Sequence, residues 1–234
     1  SSFPYDSEII ASLALHYNGA NQPGRAEEVT KNYITRCDST NLYVNKEYAY
    51  SLFMQFKYDE AIPLYEKLIA QGFDNFESNF ILGLCYENLP NKEKALKHYQ
   101  KAVQFKSDNA TCLFHLALAE KSFNMDSLSM AHFNKSLEVS LPKGRALRTY
   151  KWLADLHFLH NRYEEAARDF ELCIAYDEED DPLNYYNTAQ MFIAAKNKLK
   201  AKLYLQMFIA NANRLEDKKS AAQLISKAKE QLKQ

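Results

Sequence analysis

Tyr58-Asp59-Glu60-Ala61 and Tyr163-Glu164-Glu165-Ala166 are two copies of one pattern, each with an aromatic residue four positions after its Ala, Tyr65 and Phe170. Lys92-Glu93-Lys94-Ala95, followed by Tyr99 at the same offset, is a third copy. Ala61 and Ala95 stand 34 residues apart. A fixed period of that length predicts an array of helix–turn–helix units. Stepping by it, with short slips, divides the chain into 7–40, 42–75, 76–109, 110–143, 147–180 and 182–215.

Two slots test the register. The anchor position holds Ala26, Ala61, Ala95, Ser129, Ala166 and Ala201, and twelve residues earlier stand Ala14, Ala49, Gly83, Ala117, Ala154 and Ala189. Only about one residue in five of the chain is Ala, Gly or Ser, so small residues in every slot reflect selection for size. Antiparallel helices approach closely only where small side chains meet at the crossing. Larger apolar residues surround the slots: Leu13, Leu82, Leu116 and Leu153 just before the first small residue, Tyr17, Tyr86 and Phe192 three after it. Tyr65, Tyr99, Phe133 and Phe170 follow the anchor by four. Spacings of three and four put these on one face of an amphipathic helix.

This pattern resembles the tetratricopeptide-repeat (TPR) family over 7–215, about nine-tenths of the chain. The resemblance implies an all-α, right-handed solenoid of six helix–turn–helix repeats. Departures fall at Glu120 and His157, which occupy the aromatic slot, at Thr30, and in the scarcity of the family's Pro. Residues 216–234 read as one more amphipathic helix, with Ala221, Ile225, Ala228 and Leu232 on one side and Lys218, Lys219, Lys227, Lys229 and Lys233 on the other. Such a helix is expected to cap the open end of the array. Residues 1–6 form a tail, in which Phe3, Pro4 and Tyr5 are candidates to cover the first repeat.

Composition sets the class. The chain of 234 residues is 47% hydrophobic and 25% charged, which is ordinary folded material. A formal net charge of −1 gives no general pull toward nucleic acid or an anionic membrane, and no apolar run predicts membrane insertion. The first residue is Ser1, and no signal-peptide core follows it, so the sequence is expected to be processed or excised from a longer frame. The compartment stays open between the cytoplasm and an extracytoplasmic space.

Catalytic and metal-binding readings find little support. His157 and His160, with Asp155 nearby, have a metal-ligand spacing, but His157 falls in a packing slot. The run Asp177-Glu178-Glu179-Asp180-Asp181 lacks the alternation and Gly of a calcium loop, and Asp181-Pro182 reads as a helix N-cap. Lys94, Lys97 and Lys101 read as a solvated face. Cys37, Cys85, Cys112 and Cys173 have no ligand spacing. Cys85 and Cys112 lie too far apart in register for a disulfide, so free thiols are expected, with Cys173 a buried apolar residue. No cofactor and no enzymatic role are expected.

In the TPR family the first helix of each repeat lines a concave, partner-binding surface. The resemblance therefore implies a groove built from Lys46, Tyr50 and Phe53, Phe80 and Leu84, Phe114, His115 and Leu118, Lys151, Trp152, Asp155 and Phe158, and Tyr186, Asn187 and Gln190. A merely solvated face would not repeat rings and aliphatic chains at these positions. The partner implied is a protein segment or peptide. A chaperone C-terminal tail is not expected, because the Lys-x-x-x-Asn clamp is replaced by Lys46 with Tyr50 and Lys151 with Asp155. The alternative is a sensing or docking part of a longer protein, membrane-anchored or multidomain. If the register is right, Ala95→Leu or Ala166→Leu overpacks a helix crossing, and thermal melts should show a loss of about 1–3 kcal/mol.

Overall fold

A computed structural model describes residues 6–233; the expected role of Phe3, Pro4 and Tyr5 lies outside them. The described residues form thirteen α-helices and no strand. The helices are α1 (Ser7–Gly19), α2 (Pro23–Arg36), α3 (Leu42–Met54), α4 (Tyr58–Ala70), α5 (Phe76–Asn88), α6 (Lys92–Phe105) and α7 (Ala110–Ser122). After them come α8 (Asp126–Val139), α9 (Lys143–Leu159), α10 (Tyr163–Tyr176), α11 (Pro182–Ala194), α12 (Lys198–Asn211) and α13 (Lys218–Gln231). Helix packing divides the chain into two compact units, one ending at Met125 and one beginning at Asp126, so the division falls between α7 and α8.

Within each unit every helix packs on its predecessor, which is the stacking of helical hairpins. All twelve small residues of the two slots are buried. At Gly83 the reason is explicit: a Cβ built there would run into the ring of Tyr99, the aromatic residue four after the anchor Ala95. The first unit's core is built of Leu52, Tyr65, Leu68, Leu82, Tyr86, Tyr99 and Leu116 around these crossings. In the second unit, Tyr185, Tyr186, Leu205 and Phe208 pack with Ala228 of α13, and Leu224, Ile225 and Leu232 lie against the same cluster. The amphipathic face predicted for the last helix is thus packed on α11 and α12.

Local sequence starts and stops the helices. Asp6, Asn41, Asn75, Asn109 and Asp181 cap first helices by accepting a hydrogen bond from a backbone N–H two or three residues on, at 2.8–3.1 Å. These caps satisfy donors that the helix itself leaves unpaired. At the other end, five of the six first helices stop on a residue with positive φ five places before the anchor: Asn21, Phe56, Asn124, Asn161 and Lys196. In each, the next residue's N–H reaches back five places, as Gln22 does to Tyr17 O at 2.8 Å and Lys57 to Leu52 O at 3.0 Å. This is the left-handed helix stop that Gly and Asn tolerate best. In the third repeat the slot holds Pro90, which ends the helix by its ring instead.

Phe56 is the exception to the chemistry of that slot. A bulky side chain at φ 61° opposes the steric preference, and its ring is 77% exposed. Phe56→Asn is therefore expected to raise the unfolding free energy by about 0.5–1 kcal/mol, read as a higher denaturant midpoint with an unchanged slope.

Candidate functional site

The first helices of the first unit are tied edge to edge by side chains. Between α1 and α3, Asn18 Nδ2 donates to Glu47 O at 3.2 Å and to Glu47 Oε2 at 3.1 Å. Between α3 and α5, Lys46 Nζ lies 3.1 Å from Glu77 Oε2, with Glu47 Oε1 at 3.6 Å. Between α5 and α7, the Phe80 and His115 rings meet edge-on at 6.1 Å, and His115 Nδ1 lies 2.9 Å from Glu87 Oε2. The result is one surface made of α1, α3, α5 and α7.

On this surface the position just after the small residue of each first helix holds Leu15, Tyr50, Leu84 and Leu118, all exposed or half-buried. Four apolar residues in one column is the strongest feature of the face. Leu15, among the more exposed of them, is missing from the expected groove because only its repeat-mates carry rings or flank other candidates. Beside the column, Tyr50, Phe53, Tyr58 and Phe56 make a chain of rings with centroids 5.9, 6.2 and 6.2 Å apart. Phe76 stacks on Phe80 at 5.6 Å, and Phe80 in turn leans on the buried Tyr99 at 6.1 Å. Tyr50, Phe53, Phe80 and Leu84 are thus rooted in the core while part of each side chain stays open.

Two expected groove residues lie in the core. Phe114 is 2% exposed, and Tyr186 is buried with its ring 5.0 Å from that of Phe208. Both stand three residues before the small residue of their helix, on the side that turns toward the hairpin partner. Lys46 shares that position but stays half-exposed, and its cation is committed. Burial alone would lower its pKa, but the carboxylates of Glu77 and Glu47 outweigh that and raise it. The Lys46 ammonium is thus shared between two carboxylates.

In the second unit the corresponding column is polar. It holds Asp155, exposed, and Gln190, which exchanges two hydrogen bonds of 3.0 Å with Gln231 of α13. Lys151, Trp152 and Asn187 are half-buried, and Phe158 is exposed with its ring 5.8 Å from that of Tyr163. The last helix thus occupies part of the expected groove on α11.

The candidate metal ligands go to different partners. His157 Nδ1 lies 2.6 Å from Asp169 Oδ2 in the interior, and His160 Nε2 lies 3.0 Å from Asp126 Oδ2 near the surface. Burial raises the pKa of Asp169, against the lowering by the His157 contact. Glu120, the other polar residue in an aromatic slot, is also buried. The acidic run serves the helix it precedes: Asp181 Oδ1 caps at Leu183 N, Asp177 Oδ2 accepts from Asn184 Nδ2 at 2.6 Å, and Asp180 holds Arg214 at 2.6 Å. In the basic stripe Lys101 pairs with Asp74 at 2.6 Å, and Lys94 sits over the Tyr86 ring at 4.8 Å. Cys85, Cys112 and Cys173 are free, buried thiols that burial pushes up to about 12, while Cys37 is free and exposed. No described helix is long and apolar enough to cross a membrane.

The division between core and surface is measurable. Phe114→Ala is expected to destabilise by about 3–5 kcal/mol, and Phe158→Ala by under about 1 kcal/mol, in denaturant titrations of the two single variants.

Comparison with known proteins follows the same lines. The family model for subunit 3 of the anaphase-promoting complex (cyclosome) matches residues 54–125. None of the curated proteins matches the chain. Among solved structures the chain is similar to YrrB, described as a TPR protein with an unusual peptide-binding site, at TM-score 0.66 and 17% identity over 79% of this chain and 93% of that one. It is similar to MamA at TM-score 0.61 and 16% identity, covering 74% and 92% of the two chains. The Cut9–Hcn1 hetero-tetramer of the anaphase-promoting complex gives TM-score 0.57 and 16% identity over 97% of this chain and 43% of that one. The buried small residues and these likenesses give the chain the tetratricopeptide-repeat fold.

Proposed function

We propose that the chain is a non-catalytic scaffold that binds a peptide or an extended segment of another protein along the first-helix surface of its first unit. The observation that carries this reading is the apolar column Leu15, Tyr50, Leu84 and Leu118, set beside half-open rings on one tied surface. A row of apolar side chains left open at regular intervals stabilises a partner more than it stabilises the fold. The rings are anchored from below, so a partner loses little side-chain freedom in meeting them. Peptide binding by YrrB, which shares the fold, supports the same reading.

Of the residues expected from sequence, Tyr50, Phe53, Phe80, Leu84, His115 and Leu118 form the proposed site. Lys46 contributes as a structural tie between α3 and α5. Trp152 and Phe158 offer a smaller aromatic surface on the second unit. The column changes from apolar to polar between the units, so an apolar partner segment engages the first.

Affinity capture with the purified chain identifies the partner, and variants then locate its site. Tyr50→Ala with Phe80→Ala is expected to weaken the captured interaction by at least about 2 kcal/mol, some thirtyfold in Kd. Titration of the partner against that double variant gives the number. An unchanged Kd in a variant that melts normally would place the partner elsewhere on the molecule.

A further inference from the structure

α12 is apolar on two sides. Ala201, Leu205 and Phe208 face the core of the second unit. Leu199, Leu203 and Met207 recur every four residues and are 82%, 51% and 38% exposed. At 100° per residue this second stripe lies on the side opposite the buried one. A helix that is merely packed on its neighbours would carry polar residues there.

Next to the stripe run Lys198 and Lys202, one turn apart. On their other side opens a recess of about 420 Å³, lined by Ile193, Ala201, Leu205 and Leu232 together with Lys196, Lys198, Lys202 and Gln231. The cations therefore form a ridge with an apolar stripe on one side and an apolar hollow on the other. Among the described residues neither Lys196 nor Lys202 has an ion-pair partner, whereas Lys200 is held by Glu171 at 3.0 Å. α12 carries three Lys and no acidic residue, and two of those Lys lie in its first turn. The other second helices of the second unit open on acids, Asp126 in α8 and Glu164 and Glu165 in α10. Cations beside a helix N-terminus add to a positive field that the macrodipole already makes unfavourable.

We infer that this ridge is a second interaction surface, which takes an acidic amphipathic helix of another protein. Carboxylates on that helix meet Lys196 and Lys202. Its leucine-like residues cover Leu199, Leu203 and Met207, and one apolar side chain enters the recess. Charge selects this occupant over a second copy of the chain, because two α12 ridges laid together would oppose lysine to lysine. The recess selects it over a membrane surface, since a hollow receives a side chain and a bilayer meets protruding ones.

The test uses the full chain and a fluorescein-labelled peptide of about five helical turns, with Leu on one face and Glu every fourth residue beside it. A charge-inverted peptide with Lys for Glu is the comparison. The acidic peptide is expected to bind, and K196E/K202E to weaken it about tenfold or more and to favour the charge-inverted peptide instead. Removing these cations from beside a helix N-terminus should keep or raise the melting temperature, so lost binding does not report unfolding. Tyr50→Ala with Phe80→Ala should leave this binding unchanged, which separates the surface from the proposed peptide groove. The inference is overturned by any of three results: equal binding of the two peptides, phosphatidylserine vesicles binding through the same lysines while the acidic peptide does not, or a dimer in sedimentation that Leu203→Glu dissolves.

Discussion

Two helices can lie close enough to share a core only where small side chains meet between them. In this chain each of the twelve small residues expected at such crossings is buried. Gly83 shows what the constraint means physically. The ring of Tyr99 lies in the space that a Cβ would occupy, so the large residue of one helix depends on the absence of a side chain in the other. Burial in turn raises the Tyr99 phenol's pKa, with the Glu87 carboxylate, which accepts its hydrogen bond, adding to the effect. The phenol stays protonated and donates to Glu87 while its ring fills the crossing. Close crossings thus fix the angle of each hairpin, and the hairpin angle decides which side chains of the first helices face outward.

That outward face was legible in part. Size alone, read at a period of 34, picked out twelve positions that are all buried, because small residues at a crossing have no substitute. The helix ends were equally open to reading: Asn and Asp at first-helix N-caps, and Asn in three of the five left-handed stops, are local chemistry. The candidate groove was harder. Phe114 and Tyr186 share a repeat position with Lys46 and Phe80, yet the first two are buried and the last two half-open. Periodicity assigns one direction to a position; how deeply its side chain sinks depends on the tilt of each hairpin, which no spacing in the sequence encodes. Leu15 was missed for the converse reason, since a lone Leu on a helix is not a signal until its column is seen. Two further contacts involve polar residues: Gln190 and Gln231 are 41 positions apart, a spacing that does not follow the repeat, while His157 and Asp169 keep the twelve-residue offset of the small slots but with polar chemistry.

The departures from the repeat pattern have physical partners. His157 stands where Tyr86 and Phe192 stand, and it fills the aromatic slot with a ring whose nitrogen must then be satisfied; Asp169, on the paired helix, does so. A buried imidazole and carboxylate are stable together and unfavourable apart, so the two substitutions make sense only jointly. The fifth repeat therefore keeps the shape of an aromatic slot with different chemistry. Exposed positions show the same economy of means, because the tie between α3 and α5 uses a lysine that would otherwise compete for an anionic partner.

A surface that binds a partner has to be apolar enough to favour contact and held firmly enough to exclude water around it. In the first unit, partial exposure and packing on the core fall on the same residues. Phe80 touches Tyr99 with one part of its ring and leaves another part open; Tyr50 and Phe53 do the same over the crossing at Ala49. Their burial against the core fixes the rotamers before any partner arrives, so ordering them adds little to the entropy of binding. Phe56 extends this chain of rings into the turn between α3 and α4, where its left-handed backbone is unfavourable for the fold. Asn holds the equivalent stop in three other repeats, so the Phe56 ring, lying next to Tyr58, is presented from a backbone conformation that Asn adopts at lower cost.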